Sequence, residues 1–284
     1  MYVNYANFFF FVFNQNVKFY YFRETARRDE EISLEEEIRK KLTITGYVFR
    51  DRKPRLEKIE FPGMQKLDDG ALELIKKVWH SGGPLDEKFG ERITRRDLLT
   101  LRGLDWLNDE VINTYLGLIC ERAKKNCDLP KVYAFSTFFY TSLEQSGYLK
   151  VKRWTRKIDI FSYDIILVPV HLGAHWCLAV IDFETKCIEY YDSMGGINNQ
   201  CLHLLKSYLQ EESMDKKKEE FSLDSWEFYC CKDIPHQKNG SDCGMFACKF
   251  ADFRSRRAQI IFSQENMPYF RQRMVYEICK KSLM

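Results

Sequence analysis

Residues 237–248 form a polar turn, flanked by glycines, that leads straight into an apolar helical stretch. This pattern predicts that Cys243 lies at or next to the N-terminus of a helix. Unpaired backbone N–H groups and the helix dipole stabilise an anion there, so a thiol ionises more readily than in a free cysteine. Cys243 is therefore a candidate nucleophile, with a buried structural thiol as the alternative. Gly244 follows it and leaves space for a substrate backbone to approach.

A cysteine nucleophile needs a base, and the chain has five histidines. His175 opens an apolar strand, and a three-residue connector leads to a second strand that ends at Asp192. Because the two strands are antiparallel neighbours, the end of the second returns beside the start of the first. We therefore expect Asp192 to orient the His175 imidazole and favour its cationic form, while His175 pairs with Cys243.

Two further polar groups bear on the chemistry of this segment. Gln237 precedes Cys243 by six residues, and its amide can donate to the oxygen of a tetrahedral intermediate together with the backbone N–H of Cys243. A turn-capping amide is the alternative. His171 and His175 are spaced as metal ligands can be, but no zincin-type glutamate accompanies them and no Cys-x-x-Cys pair occurs. The sequence therefore predicts no metal site.

The elements that must position these residues are helices around a sheet. Asn108 is followed by two acidic residues and by apolar residues at helical spacing, which predicts a capped helix start. Apolar runs between turns predict central strands at 165–170, 177–183 and 187–192. Further helices are predicted over 72–78, 202–209, 245–253 and 269–279, and the stretch 211–220 is predicted to be a solvated helix end or loop. The pattern indicates an α+β domain.

The composition limits the classes of partner. The 284 residues include 44 basic and 41 acidic side chains, so the bulk charge calls for neither a nucleic acid nor a membrane surface. Ten cysteines in a chain with ample core indicate reduced thiols. The longest apolar cluster, Phe8 to Phe13, is too short for a membrane span, and the start lacks the basic residues of a signal peptide. We expect an intracellular protein.

The chain divides at about residue 58. Residues 1–58 have an aromatic start, a charged middle and a basic run at 50–55, and we expect a poorly ordered extension. The basic run is a weak match to a nuclear import signal. Residues 59–284 are predicted to form one catalytic domain.

Four motifs carry a family resemblance. They read LDWLNDE at 104–110, VPVHLGAHWC at 168–177, YDSMGG at 191–196 and QKNGSDCG at 237–244. Together they resemble the SUMO-specific (sentrin-specific) proteases, which are ubiquitin-like-protein cysteine peptidases. The resemblance spans about 60–284 and implies a papain-like fold, with a central mixed sheet flanked by helices and the nucleophile at a helix N-terminus.

The resemblance also implies roles for individual residues. His175 would be the catalytic imidazole, Asp192 its orienting carboxylate, Gln237 the oxyanion donor and Cys243 the nucleophile. His236 stands where many relatives carry glutamine, and we expect no effect of this difference on the chemistry.

Six more residues match positions that bind the modifier in this family. Trp106 and Trp176 match the walls of a narrow tunnel that takes the di-glycine end, where flat rings leave room only for a backbone without side chains. The positions that contact the folded body of the modifier correspond to Asp109, Phe138, Arg153 and Arg156.

By this resemblance, the expected function is cleavage after the C-terminal Gly-Gly of SUMO. Such cleavage frees SUMO from lysines of conjugated proteins, matures its precursor, or does both, and it needs no cofactor. We expect a monomer that is located in the nucleus and can also be present in the cytoplasm. Two alternatives stay open, namely a peptidase for another modifier such as NEDD8 and a scaffold that binds the modifier without cleaving it. The tryptophans do not decide between modifiers, because di-glycine tails are shared.

Overall fold

A five-stranded mixed sheet lies at the centre of the computed structural model, which describes residues 65–80 and 82–284. The expected extension at 1–58 and its basic run lie outside the described residues. The strands are β1 (Val132–Ala134), β2 (Ile165–His171), β3 (Trp176–Asp182), β4 (Cys187–Tyr191) and β5 (Glu227–Cys230), and they lie in this order across the sheet. The three central strands are antiparallel, whereas each outer strand pairs in parallel with its neighbour.

The central strands are apolar on both faces because helices cover both sides of the sheet. Side chains alternate along a strand, so neighbouring residues enter different cores. In β3, Leu178 and Val180 enter one hydrophobic cluster, while Ala179 and Ile181 enter the other. The three strands predicted from apolar runs are confirmed, and β4 ends one residue before Asp192.

Two helical layers flank the sheet. The helices are α1 (Asp69–Val78), α2 (Arg95–Leu99), α3 (Asp109–Lys125), α4 (Phe138–Ser146), α5 (Tyr148–Val151), α6 (Asn199–Lys216), α7 (Cys243–Arg254) and α8 (Met267–Lys280). On one face of the sheet, the hydrophobic cluster includes side chains of α1, α2, α3, α7 and α8, and on the other face it includes side chains of α4, α5 and α6. Among the described helices, none is long and apolar enough to cross a membrane.

Local capping explains where two predicted helices begin. The side-chain oxygen of Asn108 accepts a hydrogen bond from the backbone N–H of Val111 at 3.1 Å, which confirms the predicted cap of α3. Asp68 caps α1 in the same way, through the N–H of Ala71 at 2.7 Å, so α1 begins three residues before the predicted start. These side chains satisfy donors that the helix itself leaves unpaired.

Helix α6 extends into the charged stretch that was predicted as a helix end or loop. It continues to Lys216 because Glu212 is buried and accepts hydrogen bonds from the hydroxyl groups of Tyr148 and Thr155. A buried carboxylate is stable only with such partners. The position of Glu212 therefore fixes the second half of α6 on the protein core.

Candidate active site

The candidate nucleophile, Cys243, is the first residue of α7 and is 2% exposed. Asp242 occupies the N-cap position, and every residue from Cys243 to Phe253 is buried. A helix buried on all sides needs apolar residues around its whole circumference, which the sequence FACKFADF supplies except for Lys249 and Asp252. These two residues pair with each other at 2.6 Å. The thiol therefore stands at the positive end of a rigid helix.

The β3–β4 hairpin brings His175 and Asp192 together. The strand register pairs Leu178 with Tyr191, so the residue after β4 comes back beside the beginning of β3. Nε2 of His175 lies 2.7 Å from Oδ1 of Asp192, and the backbone N–H of Met194 donates to the same oxygen at 2.7 Å. The carboxylate is thus held from two directions and fixes the orientation of the imidazole ring.

The charge state of this pair follows from its hydrogen bonds. Burial alone would lower the pKa of His175, but the hydrogen bond to Asp192, with further contributions from the nearby thiols of Cys177 and Cys243, raises it well above its ordinary value. Burial would raise the pKa of Asp192, but the hydrogen bond and charge of His175 lower it. Each partner stabilises the charged form of the other. The arrangement therefore favours an imidazolium beside a carboxylate.

The second ring nitrogen of His175 is left for the nucleophile. Nδ1 is buried and has no partner of good hydrogen-bond geometry in the part of the chain that the structure describes. The Cys243 thiol is close enough to contribute to the raised pKa of the ring. A cationic ring with one nitrogen fixed by Asp192 presents the other as the charge partner of a thiolate.

A second sulfur atom, which the sequence analysis did not assign, lies beside the same ring. Cys177 follows His175 by two residues, and two residues is the spacing that places side chains on one face of a strand. Its sulfur lies within 4.8 Å of a ring nitrogen of His175 and a carboxylate oxygen of Asp192. Burial raises the pKa of Cys177, so this residue stays a neutral thiol.

The three side chains also form a group that a metal ion could bridge. Two ligands of a tetrahedral zinc site stand about 3.3 Å apart, given zinc–ligand bonds of roughly 2.0–2.1 Å. The 2.7 Å between His175 and Asp192 is shorter than that and is the length of a charged hydrogen bond. The distance between His175 and Asp192 therefore fits a hydrogen bond better than two ligands of one zinc ion.

Gln237 is buried and held by both ends of its amide. Its Oε1 accepts from the Ser193 hydroxyl at 2.6 Å, and its Nε2 donates to the carbonyl of Asn239 at 2.5 Å. An amide NH₂ group carries two hydrogens, so among the described residues the second N–H of Gln237 is left for an oxyanion. Ser193 was not singled out from the sequence, although it belongs to the motif that follows β4.

The two candidate tunnel tryptophans differ in exposure. Trp106 is 49% exposed, whereas Trp176 is 6% exposed and packs in the core. The indole N–H of Trp176 donates to the carbonyl of Leu107 at 3.1 Å, and the His171 ring packs against its other side. Trp176 therefore fixes the backbone of Leu107, the residue that follows Trp106.

The expected modifier-contacting residues lie on three elements. Asp109 is half-buried at the start of α3, and Phe138 is exposed at the start of α4. Arg153 and Arg156 are exposed in the turns after α5. An exposed aromatic ring and two exposed guanidinium groups are available to a folded partner.

Gly244 has a different role from the one expected. A Cβ atom at this position would lie 2.9 Å from Cβ and 3.2 Å from Cγ of Leu107. The space beside Gly244 is thus filled by Leu107, and not left open for a substrate backbone. Together with the hydrogen bond from Trp176, this contact clamps Leu107 between the sheet and the nucleophile helix.

We expect Gly244→Ala to push Leu107 away from α7, since the added methyl group has no room. Overpacking of this kind lowers the free energy of unfolding by about 1–3 kcal/mol, and it should also lower turnover because Trp106 moves with Leu107. Denaturant unfolding and steady-state kinetics measure the two effects. Gly117→Ala in α3 is the matched control, because a Cβ there meets nothing within 4 Å and should leave both quantities unchanged or raise stability. Equal behaviour of the two variants would contradict the clamp.

A candidate nucleophile at the start of a helix, beside a carboxylate-bound histidine that precedes a central strand of a mixed sheet, is the arrangement expected for a papain-like cysteine peptidase. Residues 105–283 match the Ulp1 protease family, C-terminal catalytic domain. The match covers more than half of the chain, and the chain belongs to this family. The resemblance carried by the four motifs and the predicted fold class are both confirmed.

Individual relatives agree with this assignment. A sentrin-specific protease from Caenorhabditis elegans is 49% identical over 252 residues, which cover 88% of this chain and 36% of the relative. Sentrin-specific protease 2 from Mus musculus is 48% identical over 223 residues, covering 76% and 37%. The chain thus spans little more than a third of the length of these curated relatives.

A solved structure of a member of this family has a similar fold. The X-ray structure of the C-terminal Ulp1 protease domain in complex with Smt3, the yeast ortholog of SUMO, superposes with a TM-score of 0.66 at 30% identity. The superposition covers 76% of this chain and 97% of that domain. The fold described above is therefore that of a domain seen in complex with a SUMO protein.

Proposed function

We propose that this chain is a cysteine peptidase that cleaves after the C-terminal Gly-Gly of SUMO, releasing it from lysines of conjugated proteins, maturing its precursor, or both. The observation that carries the proposal is the hydrogen-bonded pair of His175 and Asp192, with Cys243 at the start of a helix beside the ring. The relatives named sentrin-specific proteases, at 48–49% identity, supply the class of substrate.

The proposed reaction begins with the thiolate of Cys243, which attacks the carbonyl carbon of the last glycine of the modifier. The oxygen becomes an oxyanion, to which the free N–H of Gln237 and the backbone N–H of Cys243 donate. The His175 imidazolium gives its Nδ1 proton to the departing amine, and a thioester remains. Water then attacks the thioester while His175 accepts its proton, and the carboxylate product and the Cys243 thiolate are released. No step requires a cofactor.

Specificity for the di-glycine end is proposed to be steric. Trp106, exposed next to the clamped Leu107, forms one wall of the tunnel, and Trp176 supports that wall from within. A side chain on either of the last two residues of the modifier would collide with a flat indole wall, whereas glycine passes. The body of the modifier is proposed to rest on the surface that carries Asp109, Phe138, Arg153 and Arg156.

Probes with an electrophilic C-terminus test the proposal directly. We expect a SUMO probe to label Cys243 at least about tenfold faster than NEDD8 or ubiquitin probes, because the folded body of the modifier adds binding energy that the shared tail does not. Intact-protein mass spectrometry with rates at several probe concentrations measures the difference. Labelling should disappear in Cys243→Ala and persist in Cys127→Ala, which removes an exposed thiol.

Each alternative has its own outcome in this experiment. Faster labelling by the NEDD8 probe would assign the chain to another modifier. Binding of SUMO without labelling of Cys243 would make it a scaffold.

We further propose that the protein is a nuclear monomer, with a cytoplasmic share, that binds no nucleic acid. The family resemblance supports the location, and the near balance of charge supports the absence of a nucleic-acid partner. Imaging of the tagged chain, its mass in solution and a nucleic-acid binding assay test the three statements.

A further inference from the structure

A single buried arginine on α8 reaches two segments of the active site. Arg271 has 2% of its side chain exposed, and so does its ion-pair partner Asp242. The Nε and Nη2 atoms of Arg271 contact Oδ1 of Asp242 at 2.9 and 2.7 Å. Nη1 donates to the carbonyl oxygen of Thr100 at 3.1 Å, and Nη2 also reaches the carbonyl oxygens of Asp105 at 3.0 Å and Ser241 at 3.3 Å.

These partners belong to two segments that each lead into residues of the candidate active site. Thr100 and Asp105 belong to residues 100–107, here called the wall segment, which carries Trp106 and Leu107. Ser241 and Asp242 belong to residues 237–243, here called the nucleophile loop. One planar guanidinium group therefore joins the wall of the proposed tunnel to the loop that ends in the nucleophile.

Asp242 extends this connection through the nucleophile loop. Its Oδ2 accepts from the side-chain amides of Asn239 and Gln264, each at 2.7 Å. The carbonyl of Asn239 in turn accepts from Nε2 of Gln237. The ion pair of Arg271 and Asp242 thus continues by hydrogen bonds to the proposed oxyanion donor.

The geometry needs arginine and not merely a positive charge. A guanidinium group presents five N–H donors in one rigid plane, and three of its nitrogens are used here on partners from both segments. A lysine ammonium at the same place keeps the charge but cannot span the carbonyl groups of the wall segment and the Asp242 carboxylate with fixed spacing. The substitution Arg271→Lys therefore keeps the positive charge and removes the planar arrangement of donors.

We propose that Arg271 is a positioning residue that sets the distance between the wall segment and the nucleophile loop, and thereby seats the di-glycine end of the substrate against Cys243. It contacts neither substrate nor reacting atoms. The inference rests on the proposed function, since it concerns the tunnel of that same site.

The test compares a reaction that uses the tunnel with one that uses only the thiol. In Arg271→Lys we expect kcat/KM for cleavage of a SUMO precursor to fall at least about tenfold, since a misplacement of roughly 1 Å can cost a hundredfold. Alkylation of Cys243 by iodoacetamide, followed by mass spectrometry of the peptide that contains it, should change less than about threefold, because this small reagent needs no wall.

Arg254→Gln is the matched control, because it removes an ion pair with Glu189 at the other end of α7. Both rates should stay within about threefold of the wild type in this control. If Arg271→Lys lowers both rates in parallel, or lowers neither, the inference is overturned. If Arg271→Lys does not fold, Asp242→Asn is judged by the ratio of the loss in cleavage to the loss in alkylation, because it removes the charge of the ion pair with almost no change in side-chain volume.

The proposed function fails in a different way. If the wild type and Arg254→Gln are both alkylated at Cys243 but neither cleaves the precursor, the substrate assignment is wrong. Loss of cleavage confined to Arg271→Lys supports the positioning role.

Discussion

Cys243→Ala is expected to abolish cleavage of a SUMO precursor, with a loss of at least about a thousandfold in kcat. The substitution removes the atom that forms the thioester, and no neighbouring thiol can replace it. Cys177 lies beside the same histidine, but burial raises the pKa of Cys177 and keeps it protonated. A gel-based cleavage assay under single-turnover conditions gives the rate.

Binding of SUMO should survive this substitution or become tighter. The wall segment and the exposed surface are unchanged, and the smaller side chain leaves more room at the end of the tunnel. Titration calorimetry with mature SUMO measures the affinity. Cys248→Ala is the control, since Cys248 is buried on the same helix, and this variant should lose some stability but keep its turnover. Retained turnover in Cys243→Ala would exclude Cys243 as the nucleophile.

Asp192→Asn should lower kcat by about a hundredfold to ten-thousandfold while the fold changes little. The amide that replaces the carboxylate carries no charge, so it no longer stabilises an imidazolium, even though its oxygen can still accept from Nε2 of His175 and from the N–H of Met194. Steady-state kinetics and a thermal unfolding curve separate the loss of rate from any loss of fold. An unchanged rate would remove Asp192 from the catalytic group.

The pH profile of Asp192→Asn gives a sharper test. In the wild type the hydrogen bond that His175 donates to Asp192 helps to raise the pKa of His175, so the imidazolium persists as the pH rises. Without the carboxylate that pKa falls, and the alkaline limb of the rate profile should move to lower pH. Asp182→Asn, at the other end of β3, removes a buried carboxylate that pairs with Arg257 and should leave the profile in place.

The shifted pKa values of His175 and Asp192 also make the free energy of unfolding depend on pH, with opposite signs for the two residues. Because the pKa of His175 is raised by folding, its contribution is fully present below the ordinary histidine pKa and is lost as pH rises through the raised value. Because the pKa of Asp192 is lowered, its contribution is present above the ordinary aspartate pKa and is lost as pH falls through the lowered value.

Local patterns in the sequence were sufficient to predict the central part of the site. An apolar run, a short connector and a second apolar run specify a hairpin, and the hairpin brings His175 to Asp192 because antiparallel pairing reverses the chain. The Asn108 cap and the helix that begins at Cys243 are equally local, since a polar turn before an apolar helix marks its first residue. The residues that contact each other in these elements are close in sequence, so a local pattern is enough to predict the contact.

Long-range features were not predictable from one sequence. Strands β1 and β5 are only three and four residues long, which is too short for an alternating pattern to be recognised in the sequence. Each also pairs in parallel with a strand that lies far away along the chain, so no hairpin connector indicates the pairing. In the sequence, the glycine at position 244 suggests open space beside the nucleophile, whereas in the folded protein Leu107 fills that space. Arg271 looks like any charge on an amphipathic helix, because its partners come from two distant loops.

The contrast in sequence separation has a consequence for the order of assembly. The histidine and aspartate are 17 positions apart, whereas Arg271 bonds to carbonyl groups 166 and 171 positions away. Short closures cost less chain entropy and form sooner than long ones. We therefore expect the pairing of His175 with Asp192 to form before the contacts that join Arg271 to the wall segment.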